Sequence, residues 1–106
     1  MHIIEGPLSG PVIVRRNSRL TGALTGDITV PRGVRLELEG VVTGNLLACL
    51  GAKVVIRGRL LGRLYNEHAS VTVHGEVGSV HDEDGCRTYL APTALVRRAP
   101  LIRRAG

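Results

Sequence analysis

The densest group of side chains that could do chemistry is the acidic run HDEDG at residues 81–85. Clustered carboxylate oxygens are the ligands that hard divalent cations prefer. The run has neither the spacing nor the distant bidentate glutamate of a calcium loop, so a solvated turn is the favoured interpretation. His68 and His74 lie six residues apart, with no cysteine or carboxylate at metal-ligand spacing. They are predicted to be surface histidines, and no metal site is expected.

Nucleophilic chemistry finds equally little support. Cys49 lies in the apolar stretch ACLGA, which would raise the pKa of its thiol and leave it inert. The serines form no nucleophile-elbow pattern, and the glycines form no phosphate-binding loop. Cys49 and Cys86 are 37 residues apart, about two layers of the repeat described below, so free thiols of a cytoplasmic protein are expected. The sequence therefore predicts a non-enzymatic protein without a cofactor.

Positive charge is concentrated in the last fourteen residues, TALVRRAPLIRRAG, which hold four arginines and no acid. The other 92 residues carry 10 basic and 9 acidic groups, so their sum is close to neutral. Nucleic acid is not expected as a partner, because this body is neutral and holds only two aromatic residues for base stacking. Two interpretations of the segment stay open: a cap that folds Leu90, Leu95, Val96, Leu101 and Ile102 over the end of the fold, or a basic segment that docks on an acidic partner or an anionic membrane surface.

A sequence repeat would position the acidic, histidine and cysteine side chains described above. The repeat is marked by glycine at positions 6, 22, 40, 58 and 75. A second glycine follows each of them at positions 10, 26, 44, 62 and 78. Apolar residues recur in fixed columns, one of which is Val12, Ile28, Leu46, Leu64 and Val80. Within each line apolar and polar residues alternate, which is typical of a strand with one buried face. A repeat of this period decides the architecture.

The repeat predicts an all-β fold, a single-stranded parallel β-helix (β-solenoid) of about 4–5 rungs, each of 16–18 residues. A rung is one turn of the chain, and equivalent residues of successive rungs stack in parallel ladders. Residues 1–92 are assigned to this domain and residues 93–106 to the basic segment. An apolar residue every six positions, from Leu24 to Leu60, predicts three inward positions per rung and a triangular cross-section. Asn66 breaks this series, as the cap of a ladder or at a distorted corner.

The lines LTGDITVPRGVRLELEGVVTGNL and GAKVVIRGRLLGRL resemble the bactofilins, a family of polymer-forming bacterial cytoskeletal proteins. The resemblance covers residues 6–80. It implies a right-handed β-helix that polymerises end to end without nucleotide, often at a membrane or a cell-wall assembly site. The six-residue series also fits the left-handed hexapeptide helix of acyltransferases, but glycine falls two or four positions after the aliphatic residue rather than directly behind it. A right-handed winding is therefore favoured.

Two functions are consistent with such a fold, because the terminal rungs of a solenoid must be capped or must pair with another chain. The first is a self-assembling cytoskeletal scaffold, which forms a filament or a dimer with itself. The second is a small solenoid that binds and blocks one protein partner, as an immunity protein or antitoxin does. The predicted location is the cytoplasm, with membrane association through the C-terminal segment as an option. The predicted interface comprises Leu8, Val12, Val14, Leu90, Leu95, Leu101 and Ile102, and the basic docking residues are Arg97, Arg98, Arg103 and Arg104.

Overall fold

A computed structural model describes residues 2–83, 85 and 88–97. The short alternating segments of the sequence become short strands, because each rung changes direction at corners that glycine and small polar residues occupy. The strands are β1 (His2–Ile4), β2 (Leu8–Ser9), β3 (Val12–Ile13), β4 (Ser18–Leu20), β5 (Ala23–Thr25), β6 (Ile28–Val30), β7 (Arg35–Leu38), β8 (Val41–Val42), β9 (Leu46–Ala48), β10 (Lys53–Ile56), β11 (Arg59–Asn66), β12 (Ser70–Val73), β13 (Glu76–Asp82), β14 (Tyr89–Leu90) and β15 (Leu95–Val96).

The strands stack into three ladders, which we number as faces in chain order. Face 1 runs β1-β4-β7-β10-β12-β14. Face 2 runs β2-β5-β8 and then through the first parts of β11 and β13 to β15. Face 3 runs β3-β6-β9 and then through the second parts of β11 and β13. All of these pairings are parallel, so the predicted β-solenoid is confirmed, with about five turns.

The register agrees with the predicted columns. Val12 lies opposite Ile28, Ile28 opposite Leu46, and Leu46 opposite Leu64. The three ladders agree with three inward positions per rung, and the side chains of the six-residue series are at most 1% exposed: Leu24, Val30, Leu36, Val42, Ala48, Val54 and Leu60. Each apolar column runs parallel to the solenoid axis, so the core is continuous from rung to rung. The right-handed winding stays a prediction.

The first glycine of each line permits close approach of neighbouring rungs. A methyl group on Gly40 would overlap the carbonyl oxygen of Gly22, and one on Gly58 would overlap that of Gly40. Neither glycine has a positive φ, so space rather than backbone conformation excludes a larger residue there. In the second glycine column, Gly10 and Gly26 do have positive φ, at 96° and 127°. Both physical reasons for a corner glycine therefore occur in this chain.

One corner carries a ladder of side-chain oxygens. The backbone N–H of Asn45 donates to Asp27 Oδ1 at 3.0 Å, and the backbone N–H of Arg63 donates to Asn45 Oδ1 at 2.8 Å. At a second corner, the N–H of Arg35 donates to Asn17 Oδ1 at 2.9 Å. Each side chain thus satisfies a donor one rung further along, where the strand ladder is interrupted. Asp27, Asn45 and Arg63 each directly follow the second glycine of their line, so the spacing predicts one column, and these hydrogen bonds give its physical basis.

Asn66 occupies the inward position at which the apolar series stops, and it is fully buried. Its Oδ1 accepts the backbone N–H of Ala69 at 2.8 Å, and its Nδ2 donates to Thr88 Oγ1 at 3.0 Å. The Thr88 hydroxyl in turn donates to Asp82 Oδ1 at 2.6 Å. Asn66 therefore closes a corner and ties the fourth rung to the chain that enters β14.

Candidate interaction surfaces at the two ends

Exposed apolar side chains are concentrated at the two ends of the solenoid. Eight large hydrophobic residues are exposed in the described part of the chain, and six of them lie in the first or last strands of the ladders. The six are Ile3, Leu8, Ile13, Tyr89, Leu90 and Leu95. Leu50 and Leu61 are the two that lie elsewhere. Exposed large apolar residues that cluster, rather than scatter singly, mark an interaction surface.

The N-terminal end consists of β1, β2 and β3. Each pairs on one side with β4, β5 or β6, and no described strand pairs with its other side. Of the predicted interface residues, Leu8 is 36% exposed, Val12 is half-buried, and Val14 is only 2% exposed. Val14 belongs to the core, and Val12 packs against it. Leu8 is therefore the residue of this group that presents most apolar surface.

The C-terminal end of the described part of the solenoid consists of β14, β15 and the second part of β13. Leu90 lies opposite Val73 on face 1, and Val96 lies opposite Val77 on face 2. Both are inward positions, so the first part of segment 93–106 continues the ladder in register up to β15. Leu90 is still 44% exposed, and the outward Leu95 is 55% exposed. Of the predicted site residues, Leu101, Ile102, Arg98, Arg103 and Arg104 lie outside the described residues.

Arg97 is paired within the chain. Its Nη1 lies 2.7 Å from Glu76 Oε2, and Arg59 Nε lies 3.7 Å from the other oxygen of the same carboxylate. Arg59 and Glu76 each directly follow the first glycine of their line, so the spacing predicts that they lie side by side, and the register and the distance confirm it. The structure adds Arg97, which the sequence analysis had assigned to docking. Its guanidinium is already partly neutralised by Glu76.

A second ionic cluster lies on face 1. Glu37 Oε1 accepts a hydrogen bond from Nη2 of Arg19, on the rung before it, at 3.3 Å, and Glu37 Oε2 forms an ion pair with Nη2 of Arg35, on its own strand, at 3.0 Å. Its side chain is only 10% exposed, although it points outward. Glu39, Arg57 and His74 each directly precede the first glycine of a line, so the spacing predicts one column, but Glu39 Oε2 has Arg19 Nε 3.5 Å away. This cluster was not predicted, although Arg19 and Glu37 are 18 residues apart in the sequence, the length of one rung, and this spacing is the signal that could have found it.

Face 3 carries a stacked pair of rings. The rings of Tyr65 and His81 have centroids 5.1 Å apart, and Arg63 Nη1 donates to the Tyr65 hydroxyl at 3.2 Å. That hydrogen bond raises the pKa of the Arg63 guanidinium. Arg63, Tyr65 and His81 thus lie on the middle and the C-terminal part of face 3.

The acidic run is engaged in structural contacts. Asp82 accepts the backbone N–H and the hydroxyl of Thr88, and Glu83 Oε1 lies 3.1 Å from His68 Nε2. Among residues 2–83, 85 and 88–97, histidine, cysteine and acidic side chains form no group of three that could hold a metal ion. Asp84 lies outside that set. Cys49 is a half-buried free thiol, and Cys86 also falls outside the described residues.

Comparison with known proteins gave no relatives. No protein-family model, no curated protein and no solved structure matches the chain. No helix in the described part of the chain is long and apolar enough to cross a membrane.

Proposed function

We propose that the protein is a self-assembling scaffold of bactofilin type, whose copies join through the terminal rungs of the solenoid. The observation that carries this proposal is the placement of six of the eight exposed large hydrophobic residues on the first and last strands. The proposed role is structural and non-catalytic.

The strand edges support the same role. The edges of β1, β2 and β3 hold backbone N–H and C=O groups on the side that faces away from the solenoid. Natural proteins protect such edges with charge, proline or a covering segment, because an unprotected edge pairs with another chain. The residues of β1–β3 include no carboxylate, lysine, arginine or proline, although the strands are short and Pro7 and Pro11 directly precede β2 and β3: His2–Ile4, Leu8–Ser9 and Val12–Ile13. Apolar side chains beside open edges favour pairing.

The middle of the solenoid has a different surface. Its outward columns hold the Arg19, Glu37 and Arg35 cluster and the Arg59–Glu76 pair. Charged columns of this kind discourage lateral association between solenoids. Association is thus directed to the ends, which suits a scaffold that grows along one axis.

The experiment is molar mass by size exclusion with light scattering over a dilution series. We expect species larger than the monomer, with a mass that rises with concentration. Ile13→Lys and Leu95→Lys place a charge on outward positions of the terminal strands. The wild-type side chains there are 54% exposed for Ile13 and 55% exposed for Leu95. Both variants should lower the mass towards the monomer, because lysine on a strand edge opposes pairing.

Leu50→Lys is the matched control, because Leu50 is 59% exposed but lies at a corner in the middle of the solenoid. It should assemble like the wild type. A wild-type monomer at every concentration would contradict the proposal and favour a protein that binds a different partner. Equal loss of assembly in the control would show that the contact does not lie at the ends.

A further inference from the structure

We propose that one lateral corner of the solenoid binds a short acidic segment of a partner protein. The corner is the turn from face 3 to face 1, and the first three passes of the chain through it comprise residues 14–18, 31–35 and 49–53. These three stretches contain five cationic residues and no carboxylate. The five, which we call the basic corner, are Arg15, Arg16, Arg32, Arg35 and Lys53.

The cations of the basic corner lie on adjoining rungs. Lys53 is directly opposite Arg35 in the ladder of face 1. The side chain of Arg32 lies across the next rung, because a methyl group on Gly51 would be 3.2 Å from Arg32 Cγ. Like charges that face each other across strands destabilise a sheet. Their proximity therefore adds no stability to the fold, and a bound anion would relieve the repulsion.

Most of these charges are not neutralised within the described chain. Arg35 forms an ion pair with Glu37, but its Nε is buried and has no hydrogen-bond partner among the described residues. The other four members of the basic corner are exposed, and none forms an ion pair with a described residue. Arg19, Arg59 and Arg97, by contrast, each contact a glutamate. The basic corner thus keeps positive charge available for a ligand.

The same corner becomes acidic further along the solenoid, which limits the length of the ligand. Its fourth pass begins with Glu67 and its fifth with Glu83. The three basic passes span about 10 Å, because neighbouring rungs are about 4.8 Å apart. An extended polypeptide of that length has about three residues. A bilayer or a long nucleic acid along the corner would also meet the two glutamates, so charge complementarity favours a short acidic segment.

Leu50 supplies an apolar contact beside the cations. Its side chain is 59% exposed, and it directly precedes Gly51, across which the side chain of Arg32 lies. An apolar side chain between the acidic residues of a partner segment can pack on Leu50 and lose contact with water. The phosphates of a nucleic acid cannot make this contact. We therefore expect the bound segment to carry an apolar residue between acidic ones.

The experiment is fluorescence anisotropy of the labelled peptide Glu-Glu-Leu-Glu-Glu at low ionic strength. We expect saturable binding to the wild type that added salt weakens. The double variant Arg32→Gln, Lys53→Gln should bind about five- to tenfold more weakly, because it loses two exposed ionic contacts. The matched control is Arg57→Gln, Arg63→Gln, which removes two exposed cations elsewhere and should bind like the wild type. Equal weakening in the control would overturn the site, because net charge alone would then explain the binding.

Leu50→Ser tests the apolar contact. It should weaken binding of Glu-Glu-Leu-Glu-Glu about threefold, because part of the leucine–leucine contact is lost. Binding of Glu-Glu-Ser-Glu-Glu should not change between this variant and the wild type. The same affinity of the wild type for both peptides would overturn the role of Leu50.

Thermal unfolding of the same proteins separates binding from structure. The Arg32→Gln, Lys53→Gln variant should unfold at the wild-type temperature or above it, because it relieves repulsion between like charges. Lower stability together with lost binding would make these cations structural and overturn the proposal. A labelled oligonucleotide or phosphatidylserine vesicles that bind more tightly than the peptide, and lose binding in this variant, would overturn the acidic segment as the ligand. Absence of binding to every probe would overturn the basic corner as an interaction surface.

Discussion

Replacing Gly58 by alanine tests why the corners of this solenoid carry glycine. Gly58 has an ordinary φ, so alanine meets no conformational strain there. The new methyl group would instead overlap the carbonyl oxygen of Gly40 and lie 2.7 Å from two backbone atoms of Glu39. Backbone atoms cannot rotate away as a flexible side chain can. The two rungs must therefore separate at this corner.

The cost follows from the hydrogen bonds that the separation strains. The N–H groups of Gly58 and Arg59 donate to the carbonyl oxygens of Leu38 and Gly40, both at 2.9 Å. Leaving a buried backbone group unpaired costs about 1–3 kcal/mol. Losing both bonds would lower the free energy of unfolding by about 2–6 kcal/mol, and straining them should cost a part of this. Since small domains are stable by only about 5–15 kcal/mol, this loss is large.

The assay is urea unfolding followed by far-ultraviolet circular dichroism, at one protein concentration for all variants. Gly33→Ala is the control, because Gly33 has a φ of 79° and no atom within 4 Å of the added methyl group. It should lose only about 1–2 kcal/mol, the strain of a left-handed backbone. If Gly58→Ala unfolds at the same urea concentration as the wild type, or if Gly33→Ala is the more damaging change, the close-approach argument is wrong.

Three further changes probe the core and the corners by the same unfolding assay. Leu46→Asp puts a carboxylate at a fully buried inward position, and it should abolish the strand signal in circular dichroism; a folded, soluble variant would contradict the column alignment. Asn66→Leu continues the apolar series but leaves the N–H of Ala69 without its acceptor, so we expect a loss of about 1–3 kcal/mol, and a gain in stability would refute the role of the amide. Asn45→Ala removes the acceptor for the N–H of Arg63 at a partly exposed corner and should cost about 1 kcal/mol. An unchanged midpoint for this last variant would mean that water replaces the bond.

The sequence predicted the register of the strand pairs because it shows both the length of the repeat and the alternation of apolar and polar residues. Glycine positions gave the length of each rung, and the apolar columns gave the residues that stack. A slip of one residue would turn every inward side chain outward, so a buried face fixes the register strongly. The pairing of Val54 with Leu36 and Val71 could therefore be read from spacing.

The contacts between outward side chains were predictable only in part. Arg59 and Glu76 lie in one column and meet as expected. Glu39 instead pairs with Arg19, and Glu37 sits between two arginines. Long side chains reach diagonal neighbours as readily as direct ones, so the column alone does not decide the partner.

The sequence by itself determined the all-β class, the parallel rungs, the inward residues and the places where the chain turns. It did so because each of these depends on local periodicity and on the steric freedom of glycine. Only the tertiary structure decided that Thr88 and Asp82 complete the contacts of Asn66, and that Leu95 and Val96 extend the ladder. It also showed that exposed apolar surface is concentrated at the two ends. These features depend on which rungs lie next to each other in space. The exposed fraction of a side chain depends on every neighbour that covers it, so it is known only from the folded chain.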